Sequence, residues 1–447
     1  MFKKFKKAFA VGALGLAAVV GLTGCGDDRT QVNLWSFNHE VPDMMEMFLE
    51  MNPHFAEQFE VEFTIINDEG GAYQIALDQA LEAGGRDIPH IFTSESASVL
   101  RYTQGGMSHH AKPYVNLGID VSRLLQEAQI AAYSVEIGMR GNDLVGLGFQ
   151  ATGGAMIYRA SIAESVFGTS DPAEIARITG QNGWSSFLDA ARQLDAAGYS
   201  AVSGAGDLWQ VVRTGGQPWV VDGQLVVDPI REGFLDLHRA LYQEGLMNDA
   251  GAWSPAWNAD MGGTGERPVF AFFGPAWLIN FVMSGHVADT YGDWRVAVPP
   301  TGFFWGGTWV MANNNIPDEM VEFVGAFIEW VTLDSSNTGL QYMWANGTFG
   351  MPEGEVGTKD VVASGTVMAM SNGQISLLGG QDMFDIFAPA GNYASGDALT
   401  EYDVFINNWF IDQSQLYADG TKTRDEALRD FKIMVRDNTA ITVTGLD

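Results

Sequence analysis

An α/β fold in two domains is predicted by three features of the sequence. Strand-like and helix-like segments alternate between residues 31 and 95, and this β-α-β-α-β order is typical of a parallel sheet with helices on its faces. The chain has 447 residues, which is more than one ordinary hydrophobic core accommodates. About 46% of its residues are apolar and 12% are aromatic, so it can bury large cores.

The first five elements follow from the spacing of apolar side chains. Residues 31–35 (QVNLW) predict a strand, and residues 41–58 predict a helix because their large apolar residues recur at helical spacing. Residues 60–66 (EVEFTII) alternate as a strand does, and residues 73–83 predict a second helix. Residues 87–95 (DIPHIFTSE) predict a short buried strand and a polar loop.

The remaining segments repeat this alternation, with one glycine-rich connection between strands in each half. Residues 143–159 predict two strands joined by a glycine-rich crossing, and residues 294–314 predict two strands around an aromatic, glycine-rich connection. Residues 268–282 predict a strand, a Gly-Pro turn and a helix. Further helices are predicted over 184–198, 230–245, 318–332 and 424–438.

The N-terminus predicts export. Residues 1–7 (MFKKFKK) carry four lysines, and residues 8–22 form an uncharged apolar run of about 15 residues, as in a secretory signal. A membrane-spanning helix needs about 20 apolar residues, so an uncleaved anchor is the weaker alternative. The chain's only cysteine follows, and residues 22–25 (LTGC) resemble a bacterial lipobox. This resemblance implies that residues 1–24 are a lipoprotein signal peptide, that Cys25 is lipidated, and that residues 25–29 tether the protein to the outer face of the cell membrane.

Net charge excludes some partners. The full chain carries −31, and removal of the four signal lysines leaves −35 on the 423 mature residues. Nucleic acid and anionic membrane surfaces would repel such a protein, so neither is an expected partner. A single cysteine cannot form an internal disulfide, so stability has to come from the hydrophobic cores.

A family resemblance rests on five short motifs in a fixed order. They are VNLWSF (32–37), DIPHIFTSESASVLRYTQGGMSHHAKPYV (87–115), LVGLGFQATGGAMIYR (144–159), GPAW (274–277) and YADGTKTRDEAL (417–428). Together they resemble the extracellular solute-binding proteins of carbohydrate ABC importers, family 1, which includes maltose-binding proteins. Two departures are Arg159, where the family usually has Asn, and the additional Ala276 in the Gly-Pro-Trp turn.

This resemblance implies a periplasmic-binding-protein-like fold of type II, with two α/β lobes, a hinge and a cleft between them. We place the N-terminal lobe at 30–149 plus 299–350 and the C-terminal lobe at 150–298 plus 351–447. It also implies a monomer that captures a sugar or an oligosaccharide and delivers it to the transmembrane permease subunits of an ABC transporter, with no enzyme activity, cofactor or metal.

Sugar chemistry selects candidate ligand-binding residues. Aromatic faces suit the C–H patches of a sugar ring, and its hydroxyls need side chains that donate and accept hydrogen bonds. Many of the 13 tryptophans stand beside Gly or Pro, and bare glycine backbone lets a ligand approach closely. The candidates, some from this chemistry and some from the resemblance, are Phe37, Asn38, Glu40, Ser94, Glu95, Ser96, Thr152, Asp207, Trp209, Trp277, Trp305, Gly307, Trp309 and Tyr402. For each aromatic residue the alternative is a place in the core.

Other functions are less consistent with the sequence. Residues 146–151 (GLGFQA) fit a dinucleotide-binding pattern, but the segment that follows reads as a strand where that motif needs a helix. His109 and His110 have no carboxylate partner at metal-ligand spacing, which favours a surface turn. Three alternatives stay open: a receptor for a cationic or other polar solute, an exported glycoside-active enzyme that would need two carboxylates such as Glu40 and Asp207, and a structural lipoprotein.

Overall fold

The computed structural model describes residues 29–68, 71–85 and 88–446. Within them the strands are β1 (Thr30–Ser36), β2 (Phe59–Ile65), β3 (Ile91–Glu95), β4 (Met139–Arg140), β5 (Asp143–Leu144), β6 (Leu147–Gly148), β7 (Ala155–Arg159), β8 (Ser200–Val202), β9 (Val220–Val221), β10 (Gln224–Leu225), β11 (Val269–Gly274), β12 (Trp294–Ala297) and β13 (Thr308–Ala312). Cys25 and the predicted signal peptide lie outside the described residues.

Helices cover the sheets on both sides. They are α1 (Glu40–Met51), α2 (Pro53–Ala56), α3 (Ala72–Ala83), α4 (Val99–Thr103), α5 (Val121–Ala128), α6 (Ala132–Gly138), α7 (Ala160–Phe167), α8 (Pro172–Gly180), α9 (Trp184–Ala196), α10 (Ala205–Val212), α11 (Pro229–Gln243), α12 (Pro255–Gly262), α13 (Val321–Thr332), α14 (Leu340–Asn346), α15 (Gly365–Met368), α16 (Phe384–Ala390), α17 (Asp403–Ala418) and α18 (Arg424–Asn438). Among the described residues, none of the helices is long and apolar enough to cross a membrane.

The first sheet has the strand order β2-β1-β3-β13-β6. Strand β1 pairs in parallel with β2 and β3, which confirms the parallel sheet predicted from the alternation of the first five segments. Strand β13 returns from much later in the chain and pairs antiparallel with β3, so that Thr308 lies opposite Glu95. The carboxyl ends of β1 and β3 therefore meet the start of β13 at one edge of the sheet.

The second sheet has the order β12-β7-β11-β8 and forms the centre of a separate lobe. Strand β11 (VFAFFG) is buried along its whole length, as expected of a central strand with both faces covered. Strand β7 pairs antiparallel with both β11 and β12. Two sheets with separate helical layers confirm the predicted α/β architecture of two lobes.

Two chain segments cross between the sheets, and they pair with each other. One crossing runs from β6 to β7 and the other from β12 to β13. The amide of Gly154 donates to the carbonyl of Phe303 at 2.9 Å, and the amide of Trp305 donates to the carbonyl of Thr152 at 3.0 Å. A Cβ on Gly154 would lie 2.1 Å from the Phe303 ring, so only glycine allows this close approach.

The structure corrects two predicted helices. The helix expected over 41–58 is broken: α1 ends at Met51 and α2 begins at Pro53. Proline lacks an amide donor and disfavours helical geometry in the residue before it, here Asn52. After the Gly-Pro turn the chain forms one π-helical turn, Leu278–Val282, in place of an ordinary helix.

One buried cation anchors the second lobe. The Arg231 side chain is 0% exposed, and its guanidinium lies 4.3 Å from the Trp219 ring centroid. It donates to Asp228 Oδ2 at 3.1 Å and to the carbonyl of Arg213 at 2.7 Å. Asp228 also caps α11 by accepting from the amides of Ile230 and Arg231.

We expect Asp228→Asn to lower the free energy of unfolding by about 3 kcal/mol, because it removes the ion-pair partner of a buried charge and leaves only the attraction of Asp403, while asparagine still caps the helix. Asp120→Asn is a matched control: Asp120 caps α5 and pairs with Arg123, but both side chains are more than half exposed. The control should change stability by about 0.5 kcal/mol or less. Urea unfolding monitored by circular dichroism measures both, and equal effects would contradict the role assigned to burial.

Candidate functional site

A cavity of about 470 Å³ lies where the carboxyl ends of β1 and β3 face the second lobe. Parallel α/β sheets bind ligands at this edge. Its lining comes from both lobes and from the crossings: Phe37, Asn38, Glu40, Glu95, Gln150, Gln210, Trp253, Trp277, Phe281, Val282, Trp305, Gly306, Gly307 and Thr308. A larger hollow of about 710 Å³ between α1 and α13 lies on the outer side of the first sheet, away from the strand ends, and we do not assign it a site.

Three tryptophans form adjoining walls of the cavity. The Trp253 and Trp277 rings are parallel to within 5°, with centroids 6.1 Å apart. Trp305 stands nearly perpendicular to both, with centroids 4.7 Å from Trp277 and 5.9 Å from Trp253. Two of the walls are fixed to each other, because the indole N–H of Trp277 donates to the carbonyl of Trp305 at 3.0 Å.

Trp253 differs from its two neighbours in exposure and in backbone conformation. Its side chain is 56% exposed, which is unusual for tryptophan in the absence of a partner. Its φ angle is +68°, a conformation that costs a bulky residue about 1–3 kcal/mol. Strain of this kind concentrates at binding sites, so the strain and the exposure both favour a role for Trp253 in ligand contact.

The glycine pair at the end of the second crossing shapes the cavity floor. Gly306 and Gly307 have φ angles of +74° and +106°. A Cβ on Gly306 would lie 3.2 Å from the Trp277 indole nitrogen, and the pair therefore keeps the backbone close to the indole. Thr152 fixes this loop from below, since its hydroxyl donates to the carbonyl of Gly306 at 2.9 Å.

Glu40 is the first residue of α1 and lies in the cavity wall. The amide groups at a helix N-terminus favour a negative charge, yet burial has the larger effect and raises the pKa of Glu40 to about 7, against hydrogen bonds from Asn38 and Thr308. Asp360 lies behind it, 2% exposed, and accepts a hydrogen bond from Gln150 at 3.5 Å. Burial raises the pKa of Asp360 to about 8, and the Glu40 carboxyl adds to this rise.

Glu95 presents a second carboxylate from the end of β3. Ser96 donates its hydroxyl to one Glu95 oxygen at 2.7 Å, and the Ala97 amide donates to the other at 2.7 Å. Ser94 is buried and shares a hydrogen bond with Ser98 at 3.2 Å. Of the three candidates in this loop, Glu95 alone lines the cavity, while Ser96 holds its carboxylate in place.

Seven of the candidates from the sequence line the cavity together: Phe37, Asn38, Glu40, Glu95, Trp277, Trp305 and Gly307. They come from four separate stretches of the chain, which the fold brings to one place. Ser94, Ser96 and Thr152 lie directly behind this surface, buried and hydrogen-bonded to their neighbours.

The structure places two candidate tryptophans in the cores. Trp309 is 1% exposed, and its indole N–H donates to the carbonyl of Ser134 at 3.2 Å. Trp209 is 4% exposed and stacks on Phe410 with centroids 5.1 Å apart. Each therefore has the core position that was the alternative for an aromatic residue, and we leave both out of the proposed site.

Asp207 and Tyr402 also lie away from the cavity lining. Asp207 is 3% exposed, accepts from the Trp257 indole at 2.9 Å, and accepts from the Gly204 amide at the start of α10. Burial raises the pKa of this carboxyl to about 7. Tyr402 is half-buried immediately before α17. These contacts give Asp207 a role in helix capping and Tyr402 a place beside the core.

Sequence reasoning missed several residues of the lining, namely Gln150, Gln210, Trp253, Phe281, Val282 and Thr308. Gln210 is notable because its amide oxygen is buried and accepts no hydrogen bond from the described residues. Of these residues, only Trp253 could have been recognised from the sequence, because it is a tryptophan in the loop-like stretch GAWSP. Within the described part of the chain, no group of three or more His, Cys, Asp or Glu side chains is arranged to hold a metal ion.

Comparisons with solved structures agree on the fold. A crystal structure of an extracellular solute-binding protein of family 1 superimposes with a TM-score of 0.71 at 17% identity, covering 92% of this chain and 99% of that one. The galacto-N-biose-/lacto-N-biose I-binding protein of an ABC transporter from Bifidobacterium longum gives 0.68 at 14% identity, with 93% and 99% covered. The GacH receptor of Streptomyces glaucescens GLA.O gives 0.63 at 15%, with 91% and 97% covered.

None of the curated proteins compared with the chain matches it. The decisive comparison is with family models, where residues 46–377 match the one described as bacterial extracellular solute-binding protein. That match spans most of the chain and includes both crossings and, apart from β1, every strand of the two sheets. The chain therefore belongs to the bacterial extracellular solute-binding proteins.

Proposed function

We propose that this protein is a lipid-anchored receptor that binds a sugar or an oligosaccharide outside the cell and delivers it to the permease of an ABC transporter. The observation that carries this proposal is the set of three tryptophan faces around one cavity between two lobes, with carboxyl and amide groups at its edge. Solute binding, which is the activity of this family, accounts for the three tryptophan faces and the polar edge of the cavity without any catalytic step.

The chemistry of the cavity suits a sugar ring. The exposed Trp253 ring is available to the C–H patches of a pyranose, and Trp277 and the more buried Trp305 complete the corner. Glu95 and Gln150 offer hydrogen-bonding groups to hydroxyls at the rim. Relatives with the same fold support the choice of ligand class: the Bifidobacterium longum protein was solved with lacto-N-biose, and the GacH receptor with acarbose.

The two paired crossings suit a hinge. We propose that the N-terminal lobe comprises 30–149 plus 299–350, that the C-terminal lobe comprises 150–298 plus 351–447, and that the lobes close over the ligand as rigid bodies. A ligand can bias this closure only by binding the closed form more tightly, which requires contacts from both lobes. The cavity has them, since Glu40 and Glu95 come from the first lobe while Trp253 and Trp277 come from the second.

The lipid at Cys25 would serve delivery. One acyl chain holds a protein to a membrane only marginally, whereas the two of a diacylglyceryl group hold it stably. Tethering raises the concentration of the loaded monomer near its permease without any new contact. A thermal-shift screen of the soluble chain from Asp27 onward against mono- and oligosaccharides tests the proposal, and no stabilisation by any carbohydrate would contradict it.

We expect Trp277→Ala to weaken the affinity for the best carbohydrate of that screen by about 10- to 100-fold, because it removes one aromatic wall of the cavity. Tyr242→Ala is the control, since Tyr242 is exposed at the end of α11, away from the cavity. Isothermal titration calorimetry gives both dissociation constants, with circular dichroism to verify folding. An unchanged constant for Trp277→Ala would exclude this tryptophan from the binding site.

We expect saturating carbohydrate to reduce the radius of gyration of the wild-type soluble chain, because closure brings the lobes together. Small-angle X-ray scattering with and without ligand measures the change. At a carbohydrate concentration just sufficient to saturate the wild type, Trp277→Ala should stay closer to the ligand-free value, because its affinity is weaker. A radius that ignores a carbohydrate already shown to bind would contradict the hinge while leaving the binding function intact.

A further inference from the structure

We infer that the cleft is built for a carbohydrate that carries a protonated amine, an amino sugar whose ammonium group is held by the Glu40 carboxylate and the neighbouring tryptophan faces. This inference rests on the proposed function, because it specifies the class of sugar for the same cavity. Two features of the cavity support it, the balance of its charges and the arrangement of its indoles, and the hydrogen-bonding groups around it are consistent with it.

The charges that line the cavity are both negative. Glu40 and Glu95 are the charged lining residues, and Asp360 lies directly behind Glu40. Glu95 has a counter-charge within range, since it acts on the buried guanidinium of Arg213. Glu40 has none: the groups that act on it are Asn38, Thr308 and the acidic Asp43, and it takes part in none of the ion pairs of the described residues. A ligand cation would supply the missing counter-charge.

The indoles are placed to receive such a cation. A tryptophan ring attracts an ammonium group to its face, and two or three rings at right angles form a cage around it. Trp305 stands at 69° to Trp277 and at 70° to Trp253, so the indoles that line this corner lie in two planes, and Trp253 is the most exposed of them. Neutral sugars can also stack on one such face, but stacking alone does not use the carboxyl of Glu40.

One side-chain hydrogen-bond acceptor beside this corner has no partner within the described part of the chain. The amide oxygen of Gln210 is buried and accepts nothing from the described residues. The indole N–H of Trp277 is already used by the carbonyl of Trp305. An ammonium group brings three donors and no acceptor, which suits the Glu40 carboxylate in the cavity lining.

Three disaccharides with the same β-1,4 linkage separate the possibilities: glucosamine dimer, N-acetylglucosamine dimer and cellobiose. By calorimetry on the wild-type soluble chain at pH 7, we expect the glucosamine dimer to bind about tenfold or more tightly than either of the others. Equal or weaker binding of the glucosamine dimer would overturn the inference and leave the proposed function standing. If no carbohydrate in the earlier screen binds, the proposed function itself fails.

Substitution of Glu40 locates the effect. Glu40→Gln should reduce the ratio of glucosamine-dimer to cellobiose affinity to about one, whatever happens to the separate constants. Asp189→Asn removes the same charge from a side chain that is 72% exposed and outside the cavity lining, and it should keep the ratio of the wild type. A preference for the amine that survives Glu40→Gln would overturn the assignment.

The pH dependence is a second readout. Burial raises the pKa of Glu40 to about 7 in the empty cavity, and an ammonium ion beside it favours the charged form. Binding of the amine below this pKa therefore releases a proton from the protein, so the affinity ratio should rise between about pH 5 and 6.5, where the sugar amine is still mostly protonated. Asp43 and Asp360 also titrate near this carboxyl, and an Asp360→Asn variant should retain the rise. A ratio independent of pH would contradict the role of Glu40.

Discussion

The pairing of the two crossings is the constraint on which the rest of the structure depends. Backbone hydrogen bonds from Gly154 to Phe303 and from Trp305 to Thr152 join segments that are about 150 residues apart in sequence. Because these bonds lie between the sheets, they set both the separation of the lobes and the floor of the cavity. These bonds hold Trp305 and the two glycines that follow it at the cavity floor. The pairing of Thr308 with Glu95 in the first sheet then fixes the same segment beside the end of β3.

This arrangement divides the cavity wall into a fixed part and an adaptable part. Trp277 and Trp305 are linked by a hydrogen bond, so a ligand meets them already ordered and loses little entropy in contacting them. Trp253 is exposed and strained, and a ligand that covers it would recover buried apolar area. Burial raises the pKa of Asp360, behind this wall, to about 8, so its carboxyl reduces stability near neutral pH.

The local part of this fold was predictable and the distant part was not. Strands β1 to β3 and helix α3 follow from apolar spacing within a few residues, and Trp277 was placed by its motif. Trp209 and Trp309 had the same glycine-rich surroundings, but Phe410 and Ser134, far away in sequence, decide their burial. Helix α17 buries polar residues along its length and has no apolar stripe, so no spacing rule marks it. Gln210 carries no local signal at all, because only the folded cavity makes its amide oxygen unusual.

The effect of the Glu40 carboxyl, which has no cationic partner among the described residues, would depend on closure of the two lobes. In an open cleft, water screens the attraction between a carboxylate and a ligand cation, and the attraction is small. Closure of the lobes removes that water and strengthens the same attraction, so a cationic group would bind the closed form more tightly than the open one. A ligand shifts a conformational equilibrium only through such a difference in affinity. We therefore propose that the Glu40 carboxyl, which lines the same cavity as the tryptophans, couples recognition of a cationic ligand to closure of the lobes.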